Sequence, residues 1–407
     1  DLLLQTEFTA LKIALSYISF NLPDKNPSFE CPKRYLPKTV LQMDGRTRDT
    51  LELSSRTLVE GKLSHTATLF STIRRTLTDS GSRMLHQWIS SPSTDVKELW
   101  NRQNFVQFYL ENPLVQAEVR NILANVGDFT RSAQRLALKL GDPVTHMKYI
   151  STGLKQALEV ESVLTVKLSK QADLVGHINF PDIRHIIELV DSTFEGLDGF
   201  FVRKDYTEEL VTEHAKLKSL LHHKESFFLR ISKKASKFSA KFKISMKLHK
   251  KFGETIHISS SVASDLDNFL ENSLLVDIDV AQKTARTVYL RPKDWNYIHI
   301  RIDEQRKKID SIENRIVQEC RLQVLKDLEA IRQTGRLLDF IDVTASFAVL
   351  AKEFNLVRPE FALEENFLHI KNGKHLVVEK SINDYGGLPF IANDTHLDGS
   401  KSLWVIT

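Results

Sequence analysis

The residues of this chain best suited to chemistry are lysines that lie close together in the sequence. Residues 226–253 hold Arg230 and eight lysines but no Asp or Glu. The lysines are Lys233, Lys234, Lys237, Lys241, Lys243, Lys247, Lys250 and Lys251. The whole chain is nearly balanced, with 56 basic and 52 acidic residues, so this charge is a local concentration. Because a stretch of one sign repels itself unless it faces a polyanion, we predict that these lysines bind a nucleic-acid phosphate backbone.

The second half of this window is typical of a β-strand. Residues 241–249 (KFKISMKLH) alternate between polar and apolar side chains, which predicts that the lysines share one face of a ribbon. Arg286, on one face of a further candidate strand, joins the predicted binding set. Two other interpretations stay open. Lysines also protect exposed hairpin edges from aggregation, and an acidic membrane surface is the weaker competitor because no amphipathic helix with a broad apolar face accompanies them.

Other arrangements that carry chemistry are missing from the sequence. It contains neither a G-x-x-x-x-G-K-[ST] phosphate loop nor a G-x-G-x-x-G turn. His222 and His223 are adjacent on a predicted helix and point to different faces, so they make a poor metal pair. We therefore expect no catalytic residue and no metal site in this chain. Cys31 and Cys320 are far apart, which favours a reducing compartment and two buried, unreactive thiols.

The elements that must position the lysines are mostly helical. With only 15 Gly and 11 Pro in 407 residues and long stretches of helical spacing, we predict a mainly α protein with β insertions. Residues 1–204 are predicted as packed helices, with helix starts at 93–95 and 142–143. A long amphipathic helix follows at 205–235. Residues 236–302 are predicted to be β-rich, with a hairpin of 242–248 and 255–259, a short helix at 264–271 and a strand at 284–290.

A second long helix is predicted from 303 to 333, with a return to the helical core by 360. Two long helices that bracket a β insert predict an antiparallel pair, a stalk with a basic head. The same pattern also suits a coiled-coil arm for partner binding. Residues 361–407 predict short strands at 367–370, 375–378, 390–392 and 403–406, with Trp404 buried. No apolar run is long enough to span a membrane, and we expect the sequence to be a fragment cut at both ends.

Five stretches carry motifs that, taken together in this order, resemble the MutS family of DNA mismatch-repair proteins. They are D-x-x-T-x-x-x-L-E-L at 44–53; T-x-x-G-x-R-x-L-x-x-W at 78–88, followed by Arg102; D-x-x-R-x-x-x-R at 128–135; D-V-x-x-S-F-A at 342–348 with R-P-x-F at 358–361; and G-K-H-L-V-V-E at 373–379 with P-F-I-A-N-D at 389–394. The sequence departs from the family pattern at Lys374 and Leu376, where Arg and Pro are usual.

The resemblance implies an architecture and a function. It implies a helical core that sends two long antiparallel lever helices (205–235 and 303–360) to a β-rich clamp (236–302) on duplex DNA, mismatched or looped. Residues 361–407 would be the first strands of an α/β P-loop ATPase domain, with the ATP phosphate and Mg²⁺ sites beyond this chain. Phe390 would stack on the adenine base with Ile391 beside it, although both residues also suit a buried strand. The full-length protein would be a DNA-dependent ATPase.

The resemblance also implies partners: a second MutS-type subunit, identical or different, and a MutL-type protein, with no membrane. A MutS homologue that acts on recombination intermediates and a non-enzymatic helical adaptor are the alternatives. We expect an intracellular eukaryotic homologue, in the nucleus or the mitochondrion.

Overall fold

The computed structural model describes residues 4–21, 29, 32, 40–57, 63–168, 174, 176–195, 201–249, 253–272, 278–363, 367–400 and 403–404. The chain divides into two compact units. Unit 1 consists of Asp1–Asp191 together with Arg321–Thr407, and unit 2 of Ser192–Cys320. Both units are built from helices and small antiparallel sheets, so the prediction of a mainly α fold with β insertions is confirmed.

The helices and strands of the described residues follow one another in this order. The helices are α1 (Gln5–Asn21), α2 (Gly45–Thr50), α3 (Leu69–Ile73), α4 (Asp79–Ser90), α5 (Val96–Glu111), α6 (Pro113–Leu123), α7 (Phe129–Ala137), α8 (Pro143–Leu168), α9 (Arg184–Thr193), α10 (Glu208–Phe238), α11 (Ala263–Asn272), α12 (Lys293–Lys326), α13 (Leu328–Phe354) and α14 (Leu376–Tyr385). The strands are β1 (Arg56–Thr57), β2 (Leu63–Ser64), β3 (Lys243–His249), β4 (Gly253–Ser259), β5 (Ile278–Lys283), β6 (Thr287–Pro292), β7 (Leu368–Gly373) and β8 (Asn393–Leu397).

Capping side chains determine where helices of unit 1 begin. Asp95 accepts a hydrogen bond from Lys97 N at the start of α5, and Asp142 accepts one from Thr145 N at the start of α8. Each satisfies a backbone donor that the first helical turn cannot pair. The helix starts predicted at 93–95 and 142–143 are therefore confirmed.

Helix α13 forms the centre of unit 1. It packs against α4, α5, α6, α7 and α8, and it is buried at successive positions such as Ile341, Val343 and Ala345 rather than along a single stripe. A helix that is buried on all sides belongs to the interior of a bundle. Gly335 allows α7 to approach closely, because a side chain there would meet Thr130 Cγ2 at 2.2 Å.

Unit 2 contains a four-stranded antiparallel sheet in the order β3-β4-β6-β5. The apolar face of this sheet, with Ile256 and Ile258 of β4 and Val288 and Leu290 of β6, packs on helical residues. Those residues are Phe227, Ile231 and Ala235 of α10, Leu266 and Phe269 of α11, and Trp295 of α12. The alternation of apolar residues along the strands produces this core, because successive strand side chains point to opposite faces.

Within unit 2, α10 and α12 exchange polar contacts in antiparallel order. Arg315 Nη2 bonds Glu209 Oε2 at 2.5 Å. Further along, Glu213 accepts hydrogen bonds from Lys308 Nζ at 2.9 Å and from Gln305 Nε2 at 2.6 Å. As the residue number rises on α10 it falls on α12, so the two helices run in opposite directions.

The sequence prediction of the β-rich segment is right in its main parts and misses one strand. The hairpin and the short helix are present as β3, β4 and α11. The strand predicted at 284–290 begins instead at Thr287, because Thr284 forms a turn with backbone and side-chain hydrogen bonds to Thr287. Residues Ile278–Lys283 form a further strand, β5, which was not predicted.

The second long helix also differs from its prediction. It begins ten residues earlier, at Lys293, because Trp295, Ile298 and Ile302 are buried and extend the apolar pattern backwards. It is interrupted at Asp327, and α13 then continues to Phe354. The prediction of one helix ending at 333 is therefore wrong.

The described part of residues 361–407 holds fewer strands than predicted. Residues 375–378 are not a strand, since His375 caps helix α14 by accepting a hydrogen bond from Val378 N at 3.4 Å. Residues 390–392 precede strand β8 rather than forming one. The predicted burial of Trp404 is wrong, because its side chain is 48% exposed. Leu403 is exposed as well and neither residue is in a strand, while the last two residues of the strand predicted at 403–406 lie outside the described residues.

Cys320 is buried as predicted, and burial raises the pKa of its thiol to about 11. Cys31 lies outside the described residues. None of the helices in the described part of the chain combines the length and the apolarity that crossing a bilayer requires.

Candidate nucleic-acid interface

Strand β3 carries two of the predicted lysines on one face. It is an edge strand, paired on one side with β4, and its register places Lys243 opposite Ser259 and Lys247 opposite Thr255. Directly opposed residues of antiparallel strands share a face, so Lys243 and Lys247 lie on the face away from Ile256 and Ile258. Both lysine side chains are exposed.

The final turns of α10 add three exposed lysines, Lys233, Lys234 and Lys237. They lie on the solvent side because Ile231 and Ala235 of the same turns are buried in the unit 2 core. Arg230 stacks its guanidinium over the Phe227 ring at 4.7 Å. The helix thus presents its positive charge opposite its apolar stripe, as amphipathic spacing dictates.

Lys241 and Arg286 lie at the same end of the sheet as Lys243. Lys241 lies two residues before the start of β3. Arg286 is in the turn before β6, where its carbonyl accepts a hydrogen bond from Ser260 N at 3.0 Å. Ser259 pairs with Lys243 on one side and with Thr287 on the other. Lys247 is about 13 Å further along β3, four residues at the usual strand rise. Lys250 and Lys251 fall on residues that the structure does not describe.

The predicted cations differ from their neighbours in how they are paired. Lys224 bonds Glu254, and Lys283 bonds Asp267. In contrast, Lys233, Lys234, Lys237, Lys241, Lys243, Lys247 and Arg286 form no ion pair with any carboxylate of the described residues. Their charge is therefore not neutralised by the described side chains, and an anion that arrives would not have to displace a carboxylate.

The polar face of the sheet also holds two aromatic residues that the sequence reasoning missed. His257 and Tyr289 are paired across β4 and β6, with ring centroids 4.9 Å apart. Burial, and then the charge of Lys247, lower the pKa of His257. The alternation in residues 253–259 (GETIHIS) could have indicated His257. Its pairing with Tyr289 depends on a register that one sequence does not reveal.

Phe390 and Ile391, predicted to contact a nucleotide base, lie in the segment before β8. Phe390 is half-buried and Ile391 is 81% exposed. The alternative that both are buried strand residues is therefore wrong for Ile391. An exposed aliphatic side chain next to a half-buried ring offers the apolar surface that a purine base could contact. The base-stacking role itself stays a prediction.

Three of the motif segments meet inside unit 1. Asp342 on α13 accepts hydrogen bonds from Thr78, and Arg83 on α4 bonds Asp128 at 2.8 Å. Asp128 also caps α7 by accepting from Arg131 N at 3.1 Å. A further motif residue, Arg102, stacks on the Trp88 ring at 3.6 Å. These motif residues hold helices together, which is a structural role.

Comparisons with known proteins show the family to which the chain belongs. A family model described as MutS domain III matches residues 46–348. The DNA mismatch repair protein MutS of Paracoccus denitrificans (strain Pd 1222) is 27% identical over 410 residues, which cover 99% of this chain and 45% of that protein. The protein of the same name from Thermosipho melanesiensis is 23% identical over 413 residues, covering 99% of this chain and 46% of that protein. The chain thus spans less than half the length of these curated relatives. Because the family model matches most of its length, the chain belongs to the MutS family of DNA mismatch-repair proteins.

Proposed function

We propose that this chain is the DNA-clamping and lever segment of a MutS-type mismatch-repair ATPase. The observation that carries the proposal is the group of exposed cations on β3, the end of α10 and the turn before β6, which have no carboxylate partner among the described residues. Lysines arranged in this way bind phosphates without reading bases. We expect binding to duplex DNA that depends strongly on salt and little on sequence.

The roles of the other segments follow from the family. Residues 1–204 would form the core and 236–302 the clamp. The segments 205–235 and 303–360 would be the levers and the return to the core. The opposite directions of α10 and α12, bridged by Glu213, support the lever assignment. Residues 361–407 would begin an ATPase domain.

The nucleotide chemistry of this proposal belongs to the full-length family protein. ATP and Mg²⁺ would bind there, and the sequence of this chain contains no phosphate loop. Phe390 and Ile391 would supply the surface for the base. A second MutS-type subunit and a MutL-type protein are proposed partners on the same ground. The reported relatives are bacterial and give no support to a eukaryotic, nuclear or mitochondrial placement.

The test is the salt dependence of duplex binding in a variant in which Lys241, Lys243 and Lys247 are all changed to Ala. Each lysine that neutralises a phosphate contributes about 0.9 to the slope of log K against log salt. We therefore expect weaker binding and a slope that is smaller by up to about 3. Fluorescence anisotropy with a labelled homoduplex at several salt concentrations measures both quantities.

A matched control removes three exposed lysines of unit 1, by changing Lys97, Lys352 and Lys371 to Ala. This variant has the same net charge, so it should retain the wild-type slope if the sheet is the interface. Equal losses in both variants would mean that only the net charge matters. A preference for four-way junctions over mismatched duplex would favour the alternative function on recombination intermediates.

A further inference from the structure

Strands β7 and β8 of unit 1 bring two histidines together on one face of their two-stranded sheet. The register places His369 directly opposite His396. Opposed residues of antiparallel strands share a face, with their Cβ atoms about 4.5–5.5 Å apart. Both side chains are exposed. Nothing near either residue in the sequence indicates the pair, because α14 separates the two strands, and the proposed function does not use it.

The separation of the two rings matches that of two imidazoles bound to one metal ion. Their centroids are 5.2 Å apart and their planes are inclined at 86°. A histidine nitrogen binds zinc at about 2.0–2.1 Å, which puts the ring centroid about 3.2 Å from the metal. Two rings held at a tetrahedral angle then have centroids about 5.2 Å apart. The distance between the rings therefore allows them to share one ion without a movement of the strands.

The carboxylate of Asp398 determines which nitrogen of His396 is available. Its Oδ2 lies 2.8 Å from His396 Nε2. Because a carboxylate only accepts hydrogen bonds, Nε2 donates and the lone pair of the ring is on Nδ1. Asp398 is held in turn by Ser400, whose backbone N and Oγ donate to Oδ1 at 2.7 and 2.6 Å. An outer carboxylate of this kind orients a metal-binding histidine and increases its basicity.

The ring of His369 completes the pair. It has no hydrogen-bond partner among the described residues, so its nitrogens are open to a ligand. Within the part of the chain that the structure describes, no three or more His, Cys, Asp or Glu residues are grouped so as to hold a metal ion. The pair would therefore supply two ligands and leave the remaining coordination positions to water, as in an open site.

We propose that His369 and His396 together bind a divalent transition-metal ion of the class of Zn²⁺. Imidazole nitrogen suits zinc, copper and nickel, whereas Mg²⁺ and Ca²⁺ prefer oxygen ligands. The ion would join β7 to β8, and the binding free energy would stabilise their sheet. Asp398 is a positioning residue in this site, since it acts through His396.

Isothermal titration calorimetry of ZnCl₂ into the whole chain, without a histidine tag, tests the site directly. We expect saturable binding of one Zn²⁺ per chain. Changing His369 or His396 alone to Ala should weaken binding about a hundredfold, because the second ligand of a linked pair acts at high effective concentration. Changing both should abolish saturable binding. Since both side chains are exposed, the variants should fold, which circular dichroism checks.

The matched control changes His222 and His223 to Ala, which removes the same number of imidazoles from α10. These two exposed histidines are adjacent in a helix and cannot share an ion. The control should bind zinc within about twofold of wild type, since distant sites are independent. The proposal is overturned if this variant loses as much affinity as the His369 and His396 double variant, or if the wild type shows no saturable binding. Displacement of zinc by millimolar Mg²⁺ would also overturn it, because an oxygen site would then hold the ion.

The role of Asp398 has its own readout. Asp398→Ala should weaken zinc binding about tenfold, the usual effect of losing an outer carboxylate. Nitrogen-15 NMR of the imidazoles should show coordination through Nδ1 of His396 in the wild type and through both nitrogens in Asp398→Ala. Coordination through Nε2 in the wild type would overturn this role.

The zinc site and the lysine-bearing sheet are tested separately. The triple variant of Lys241, Lys243 and Lys247 should keep its zinc affinity, and the His369 and His396 double variant should keep the salt dependence of DNA binding. Each proposal can therefore fail without the other.

Discussion

The carboxylate of Asp342 on α13 holds the start of α4 through Thr78, whose backbone N–H and hydroxyl both donate to Asp342 Oδ2 at 2.8 Å. The same hydroxyl oxygen accepts from Gly81 N at 2.9 Å, so the carboxylate and the helix cap form one chain of hydrogen bonds. Leu77 N adds a third donor to Asp342, at 3.0 Å from Oδ1. Negative charge at a helix N-terminus also interacts favourably with the helix dipole. Asp342 is fully buried, so no water can replace these partners.

Replacing Asp342 with Asn should therefore destabilise unit 1. The amide has only one acceptor atom, and its NH₂ group would face the donors of Thr78 and Leu77. We expect the free energy of unfolding to fall by about 2–4 kcal/mol, the cost of losing charge-assisted hydrogen bonds in a buried place. Urea unfolding followed by circular dichroism measures this change. A loss below about 0.5 kcal/mol, the range of ordinary surface substitutions, would contradict it.

Replacing the neighbouring carboxylate, Asp339, should have the opposite effect: it should raise the stability of the protein rather than lower it. Burial raises its pKa to about 6, and its Oδ1 has no hydrogen-bond partner among the described residues. A carboxyl whose folded-state pKa exceeds the unfolded value of 3.8 lowers stability above the folded pKa, and this penalty disappears as the pH falls below the unfolded pKa. Asp339→Asn should stabilise the protein by about 2 kcal/mol at pH 8 and have no such effect near pH 3.5. Urea midpoints at the two pH values decide between this outcome and a pH-independent effect.

The contacts of Glu213 predict that the stability of unit 2 depends on pH. Hydrogen bonds from Gln305, Lys216 and Lys308 lower its pKa from 4.5 to about 2. A carboxyl with a depressed pKa stabilises the folded state above the unfolded value, and this contribution is lost as the pH falls from about 4.5 towards 2. Glu213→Gln should lower the urea midpoint at pH 7, and the difference from wild type should disappear near pH 2. The exposed Glu225 of the same helix, changed to Gln, is the control that should show no comparable shift.

Two glycines should resist substitution because α7 packs into them. A Cβ on Gly153 of α8 would lie 2.5 Å from the Phe129 ring, and one on Gly335 of α13 would lie 2.2 Å from Thr130. We expect Gly153→Ala and Gly335→Ala to cost about 1–3 kcal/mol each through overpacking. Gly127→Ala is the control, since its nearest neighbour would be 4.0 Å away. Thermal unfolding ranks the three variants, and a ranking with Gly127→Ala lowest in stability would refute the packing argument.

The features that the sequence predicts correctly are those that depend on residues close together in the chain. The caps Asp95 and Asp142 lie within three residues of the donors they accept from, and the alternation that defines β3 is visible in nine residues. The contact between Asp342 and Thr78 joins positions far apart in the chain, so nothing near either residue indicates it. The sequence does not predict strand β5 for a related reason, because its strand structure depends on pairing with β6.

The order of the two units along the sequence has a consequence for folding during synthesis on the ribosome. Unit 2 is one continuous stretch, Ser192–Cys320, and each strand of its sheet pairs with a neighbour close in sequence. Unit 1 is discontinuous, and its central helix α13 is translated only after all of unit 2. Domains generally fold as units while the chain emerges from its N-terminus. The first helices of unit 1 therefore cannot complete their packing until the whole of the inserted unit has been synthesised. Until then, the surface that α13 will cover is exposed.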